Sequence, residues 1–205
     1  MKQTHVIPLG FTNVYLVGAH DRYLLVDGGG PNSAGPFFKK LRRLNIEPAQ
    51  IRLLVITHVH FDHAGGVNDI KAKCGCQVAV HRTEAPLLAG ARVVIPPGTN
   101  IVTRMLCRLA DRHPGLIEKL YGFKAVEPDI LVNGDMDLCD FGFEGRIITT
   151  PGHTPGSLSV LTEGGEAFVG DLAVNYYPFG LGPIFPPFAE NPDLVFQSWK
   201  RVIQG

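Results

Sequence analysis

Thr57-His58-Val59-His60-Phe61-Asp62-His63 follows directly on the apolar run Ile51-Arg52-Leu53-Leu54-Val55-Ile56. The run reads as a fully buried strand, so the polar cluster stands on the loop at its C-terminal tip. Three imidazoles and a carboxylate crowd that loop, and each demands water, a hydrogen bond or a cation. A metal ion is the simplest way to satisfy all of them at the end of a buried strand. His58 and His60 lie two apart, so in extended backbone both project to one side and can grip one ion. Asp62 and His63 follow a turn and can face a second ion, while Gly65 and Gly66 allow the tight bend that begins a helix.

Working outward, Val14-Tyr15-Leu16-Val17 and Tyr23-Leu24-Leu25-Val26 read as a hairpin turned at Gly18-Ala19-His20-Asp21. Asp27-Gly28-Gly29-Gly30-Pro31 ends the second strand. Its glycines lack the Gly-Lys-Ser/Thr of a phosphate loop, so they read as a turn. Residues Ala34 to Leu44 place Phe37, Phe38, Leu41 and Leu44 at helical spacing, with Lys39, Lys40, Arg42 and Arg43 on the solvated side. Ala64-Gly65-Gly66-Val67 begins a helix that ends near Cys74-Gly75, and Gln77-Val78-Ala79-Val80 is a fourth strand. Strand and helix thus alternate around a shared sheet.

From about residue 86 to 128 the rhythm changes. Val102, Met105, Leu106, Leu109, Leu116, Ile117 and Leu120 predict one or two amphipathic helices interrupted near Pro114-Gly115. This helical insertion into an otherwise single domain spanning 1–205 is placed to wall or cover a pocket. Arg104, Arg108 and Arg112 recur at helical spacing and read as a solvated stripe. Beyond it, Arg146 to Thr150 leads into Pro151-Gly152-His153-Thr154-Pro155-Gly156-Ser157. Leu158 to Leu161 and Ala167 to Val169 are the next strands, closed by Gly170-Asp171. An aromatic loop carrying Tyr176, Tyr177, Phe179, Phe185 and Phe188 lines a pocket or packs in the core. Asn191-Pro192-Asp193 caps a last helix through about Ile203.

Composition narrows the classes. With 205 residues, 45% hydrophobic and 19% charged, the chain is an ordinary globular sequence. Lys+Arg and Asp+Glu balance at 19 each, which gives no global field for nucleic acid or an anionic membrane and leaves only local patches. No stretch reaches the roughly 18 apolar residues of a membrane helix, and the N-terminus carries no signal core, so a soluble cytosolic protein is expected. Cys74, Cys76, Cys107 and Cys139 do not form a metal knuckle and are expected to be reduced thiols. His5, His20 and His113 read as ordinary surface or core histidines, and His81, at a strand tip, has a little more claim to be a ligand.

Two distant residues extend the metal reading. His153 is fixed between rigid flanks in Pro-Gly-His-Thr-Pro-Gly, and Asp171, at a strand end, has two oxygens that can bridge two cations. The nitrogen and oxygen donors suit zinc best, with iron or manganese also accepted.

The set Thr57 to His63, Pro151 to Ser157 and Gly170-Asp171, together with Leu25-Val26-Asp27-Gly28-Gly29, resembles the metallo-β-lactamase superfamily, nearest in style to its glyoxalase II-like hydrolases. The resemblance runs from about Asn13 to the last helix. It implies an αββα four-layer sandwich, with His58, His60 and His153 on a first metal and Asp62, His63 and a bridging Asp171 on a second. One or two zinc ions per chain are implied. Zinc lowers the pKa of its water to roughly 7, so the expected chemistry is attack of metal-bound hydroxide on a small ester, thioester or lactone. Asp62 would orient the nucleophile or shuttle its proton, and Asp27 would support a ligating histidine. The family normally adds another histidine from beyond a further C-terminal strand, whereas here the sequence given ends at Arg201-Val202-Ile203-Gln204-Gly205 and no histidine follows His153. The sandwich is therefore expected without its closing strand, with water, substrate or a neighbouring chain completing the second site. The edge so exposed favours a homo-oligomer. The expected partner is a small-molecule substrate, with no nucleic acid and no membrane. Iron-dependent oxidation, as in a persulfide dioxygenase, and a non-catalytic or assembly-dependent family member are the alternatives.

Overall fold

The computed structural model describes residues 3–176 and 181–204. Tyr177 and Phe179 of the aromatic loop lie outside them.

The first sheet has six strands in sequence order. β1 (Thr4–Leu9), β2 (Thr12–Ala19) and β3 (Arg22–Val26) run antiparallel; β4 (Ile51–Val55), β5 (Gln77–His81) and β6 (Ile130–Val132) continue in parallel. β4 is apolar almost throughout because both its faces are covered. Leu53 and Val55 face the second sheet, while Leu54 between them faces helices. The same alternation puts Leu24 and Val26 of β3 on one side and Leu25 on the other.

On the outer face, α1 (Ala34–Arg43) buries Phe37, Phe38 and Leu41. The helix expected from Ala64 is split into α2 (Phe61–Ala64) and α3 (Val67–Cys74). The break has a steric cause. A Cβ on Gly65 would meet the Pro31 nitrogen at 2.3 Å, and one on Gly66 would meet the Gly28 carbonyl at 2.3 Å. Two glycine turns touch there backbone to backbone, which no side chain would allow.

The second sheet is antiparallel, in the order β10-β9-β8-β7, from β7 (Met136–Asp137), β8 (Gly145–Thr149), β9 (Leu158–Thr162) and β10 (Ala167–Phe168). Ile147, Leu158, Val160 and Phe168 pack against Val17, Leu24, Leu53 and Val55 and fill the space between the sheets. Asp171 lies just past β10, in a single 3-10 turn (Gly170–Leu172) and not in the strand itself.

The segment after β5 carries α4 (Ala85–Ala89), α5 (Ile101–Asp111) and α6 (Pro114–Tyr121), with Leu88 and Val126 anchoring its two ends in the helix-side core. Asn100 caps α5 reciprocally with Thr103: its Oδ1 accepts the Thr103 N–H at 3.0 Å, and its own N–H donates to Thr103 Oγ1 at 3.2 Å. The loop before the cap is tied to residues 186–189: Thr99 N–H donates to the Pro187 carbonyl at 2.9 Å, and Ala189 N–H to the Pro97 carbonyl at 3.0 Å. A short hairpin of β11 (Val174–Tyr176) and β12 (Leu181–Ile184) precedes α7 (Pro192–Gln204). The amide N–H groups of Asp193 and Leu194 donate to Asn191 Oδ1 at the start of α7. α7 holds the end of β8 through Ser198 Oγ on the Pro151 carbonyl and Arg201 on Thr149. The layers follow the expected helix–sheet–sheet–helix order. Among the described residues no helix is long and apolar enough to cross a membrane.

Candidate metal centre

The C-terminal tips of β3, β4 and β5 meet the 151–157 turn at one edge of the two sheets, the place where ligands gather in sheets with parallel strands. Leu158 N–H donates to the Thr57 carbonyl at 2.8 Å and locks the two halves together there. A Cβ on Gly170 would meet Thr57 Oγ1 at 2.5 Å, so its absence lets the Asp171 turn close onto the same edge.

His58, His60 and His153 are buried, and their facing nitrogens converge. His153 Nε2 is 3.2 Å from His58 Nε2 and 3.0 Å from His60 Nδ1. The surrounding hydrogen bonds dictate the tautomers. His153 Nδ1 lies 2.8 Å from the Phe188 carbonyl, which only accepts, so Nδ1 carries the proton and Nε2 a bare lone pair. The Thr57 hydroxyl donates its one proton to the Asp27 carboxylate, at 3.0 and 2.9 Å. It can therefore only accept from His58 Nδ1, 3.1 Å away, which leaves His58 Nε2 bare as well. His60 has one N–H to offer and cannot satisfy both. Its Nε2 is also buried without a hydrogen-bond partner among the described residues. Lone pairs aimed at one another in a dry pocket are repulsive, and a divalent cation removes the conflict. Burial holds the His58 and His60 imidazoles well below their usual pKa and lowers that of His153, so all three favour the neutral, ligating form.

The neighbouring group is built differently. His63 Nε2 is 3.2 Å from Asp171 Oδ1 and 3.9 Å from Asp62 Oδ2, and His63 Nδ1 donates to Asp27 Oδ2 at 2.8 Å. Burial works against a charged His63, yet the carboxylates of Asp27, Asp171 and Asp62 outweigh it and hold the imidazole well above its usual pKa. Burial likewise opposes ionisation of Asp171, but His63, His153 and His60 hold its carboxyl well below the ordinary range. Burial raises the Asp62 carboxyl. Asp171 reaches both groups, since its Oδ2 lies 3.7 Å from His153 Nε2. The ligand atoms of His58, His60 and His153 lie within 4.8 Å of one another, and so do those of His58, His63 and Asp171. Asp62 stands at the rim, beside His63 and partly open to solvent.

Asp27, read from sequence as support for a ligating histidine, sits against His63. It adopts a left-handed backbone, φ 65°, and its carboxylate also accepts the Thr57 N–H at 2.8 Å. His81 joins neither group and pairs with Thr83.

Glu84 escaped the sequence reading. It is buried, and its carboxylate accepts the Val59 N–H at 2.9 Å and the Gly156 N–H at 3.3 Å, so one side chain ties the His58–His60 loop to the His153 turn. A Cβ on Gly156 would stand 2.4 Å from Glu84 Cγ. The available signal was its position just past the tip of β5, where the other functional loops also begin. The Phe188 carbonyl was equally illegible, because backbone atoms have no sequence signature.

A cavity of about 390 Å³ opens over the centre, floored by His60, Asp62, His153 and Asp171. Leu106, Ala110, Ile117 and Tyr121 of α5 and α6 form its apolar wall. Tyr121 stacks on Phe61 of the metal motif with ring centroids 4.2 Å apart, and Phe188 lines the same space. Phe185 instead packs with Phe196 and Trp199 of α7.

Known proteins share this architecture. The chain is 27% identical over 176 residues to the Bacillus subtilis protein named Probable metallo-hydrolase YflN, covering 84% of this chain and 64% of that one. It is 28% identical over 151 residues to a hydroxyacylglutathione hydrolase of Shewanella pealeana, covering 74% and 41%. It is also 28% identical over 162 residues to the acyl-coenzyme A thioesterase MBLAC2 of Gallus gallus, covering 71% and 51%. The chain thus spans less than two-thirds of the length of each of these relatives. The fold matches the crystal structure of BJP-1, a subclass B3 metallo-β-lactamase of Bradyrhizobium japonicum, with a TM-score of 0.62 at 24% identity over 98% of this chain and 70% of that one. The family model described as the metallo-beta-lactamase superfamily matches residues 7–203, and the chain belongs to that superfamily.

Proposed function

We propose that this protein is a metal-dependent hydrolase of small esters, thioesters or lactones, with thioesters of apolar acyl groups favoured. One observation carries the reading: bare imidazole lone pairs converge at the floor of a cavity whose opposite wall is apolar. That pairing suits a substrate with a reactive carbonyl for the polar floor and an acyl chain for the wall of Leu106, Ala110 and Ile117. Relatives named as hydroxyacylglutathione hydrolase and acyl-coenzyme A thioesterase support the thioester preference.

His58, His60 and His153 would hold one divalent cation, and His63, Asp62 and Asp171 a second, with Asp171 shared. The donor set favours zinc over iron or manganese. When bound, the cation supplies Lewis acidity toward water and toward the acyl oxygen. The remaining work belongs to the chain. Asp62, its carboxyl raised by burial, takes up and returns a proton at Oδ2 as general base. Asp27 and the Phe188 carbonyl fix the ring planes of His63 and His153. The α5–α6 wall excludes water from the acyl side.

The test is hydrolysis of a series of acyl thioesters, nitrophenyl esters and lactones before and after chelation, with zinc, iron or manganese added back. Turnover lost on chelation, restored by one metal and absent from His58→Ala is the expected result. Turnover unchanged by thorough chelation and in His58→Ala rejects the proposal. Stoichiometric iron with oxygen uptake in place of hydrolysis moves the reading to oxidative chemistry.

A further inference from the structure

α5 carries its apolar stripe on the outside. Ile101, Val102, Met105 and Leu109 are 76%, 67%, 65% and 54% exposed, and Leu116 and Leu120 of α6 extend the same patch. Thr103 is the one buried residue of α5. Among the described residues, seven of the twelve exposed large hydrophobic side chains fall on these two helices, so the patch is concentrated and not scattered. Leu106, the seventh, belongs both to this face and to the wall of the cavity beneath it.

Charge says what covers the face. Arg104, Arg108 and Arg112 recur once per turn and form a ridge along one border of the apolar sector. Among the described residues none of the three is in an ion pair. Residues 101–121 hold four basic side chains against Asp111 and Glu118, although the whole chain balances to zero. A second copy docked by two-fold symmetry would bring two arginine ridges into one interface with few counter-charges. A bilayer of anionic lipid supplies both requirements at once: an acyl layer for the leucines and phosphates for the guanidiniums, whose aliphatic stems can cover apolar surface at the border. The reciprocal cap at Asn100 and the tie between residues 97–99 and 186–189 hold α5 in this orientation.

We propose that the α5–α6 face docks on an anionic lipid bilayer surface, with the helices lying in the plane of the headgroups. The step concerns binding alone and stands whether or not the cavity hydrolyses thioesters. Flotation of the full chain with vesicles tests it. The chain is expected to float with mixed phosphatidylcholine–phosphatidylglycerol vesicles about tenfold more than with phosphatidylcholine alone. Met105→Ser with Leu109→Ser, both on exposed positions outside the cavity wall, should abolish flotation while circular dichroism and Tm stay unchanged. Arg108→Gln with Arg112→Gln should reduce flotation on the mixed vesicles to the level on neutral ones. The proposal is overturned if the wild-type chain stays in the soluble fraction with anionic vesicles. It is equally overturned if the chain is a stable dimer by light scattering that the Met105→Ser/Leu109→Ser pair disperses while vesicle binding is absent.

Discussion

His153 and His63 sit on opposite sides of Asp171, in groups wired in opposite ways. Around His153, three neutral imidazoles crowd together with one N–H at most for two facing lone pairs, those of His58 and His153, which have hydroxyl and backbone partners behind them. Around His63, three carboxylates surround one imidazole. The first group has no internal charge compensation and coheres only around a cation. The second can satisfy itself with a proton on His63. The contrast teaches that a metal centre can be half dependent on its ion and half poised to do without it. Proton competition should fall mainly on the second half, where a metal must displace that proton.

The sharpest way to break this contrast is His153→Ala. Loss of one convergent ligand should lower turnover by more than about 100-fold and abolish tight binding of the first ion, read by metal analysis after gel filtration. An ion retained at full affinity would mean that the imidazole group is not the primary site. Asp27→Asn acts on the other half. It should weaken the second metal by roughly 10–100-fold in a competition titration and the first by less, because Asp27 touches His63 directly and His58 only through the Thr57 hydroxyl; equal loss at both would contradict the contrast between the halves. Glu84→Gln returns to the first half, whose two loops Glu84 joins. Its amide can accept only one of the two N–H groups, so unfolding in urea should show a loss of about 2 kcal/mol.

The smallest effect separates the halves by sign. In the metal-free chain, His58, His60 and His153 have lowered pKa values, so below about 6.5 the unfolded state takes up protons that the folded state refuses. Their contribution to stability therefore falls as pH falls. His63 has a raised pKa, and its contribution is present at low pH and lost as pH rises through its folded value. His63→Gln should remove the rise in Tm, roughly a few degrees, that acidification toward about pH 6.5 otherwise brings, and leave the slope below that pH in place. A rise that persists in the variant would contradict the charge assignment.

Much of this centre is written locally. The crowding at residues 57–63 and the rigid turn at His153 point to a metal because those residue types have few other uses at strand tips. The alternation of β4 likewise shows its two buried faces. What stayed hidden depends on distant partners. Glu84 looks like an exposed charge before a helix until the loops 25 and 72 positions away close over it. The break between α2 and α3 depends on contact with the glycines at 28–30, which no window around residue 65 contains. The apolar stripe of α5 was plain in sequence, but periodicity gives a face without saying whether it turns inward or outward.

His58 and His153 meet across 95 positions of chain. The β1–β3 meander can assemble early from neighbouring segments, whereas this meeting requires both sheets to be docked. An ion bound there stabilises only the docked state, by mass action, and works as a staple between the sheets. Metal supply would then set how long a newly made chain lingers half-assembled and open to proteases, so starvation for the ion would be seen first as a shortage of the protein and only afterwards as a loss of its activity.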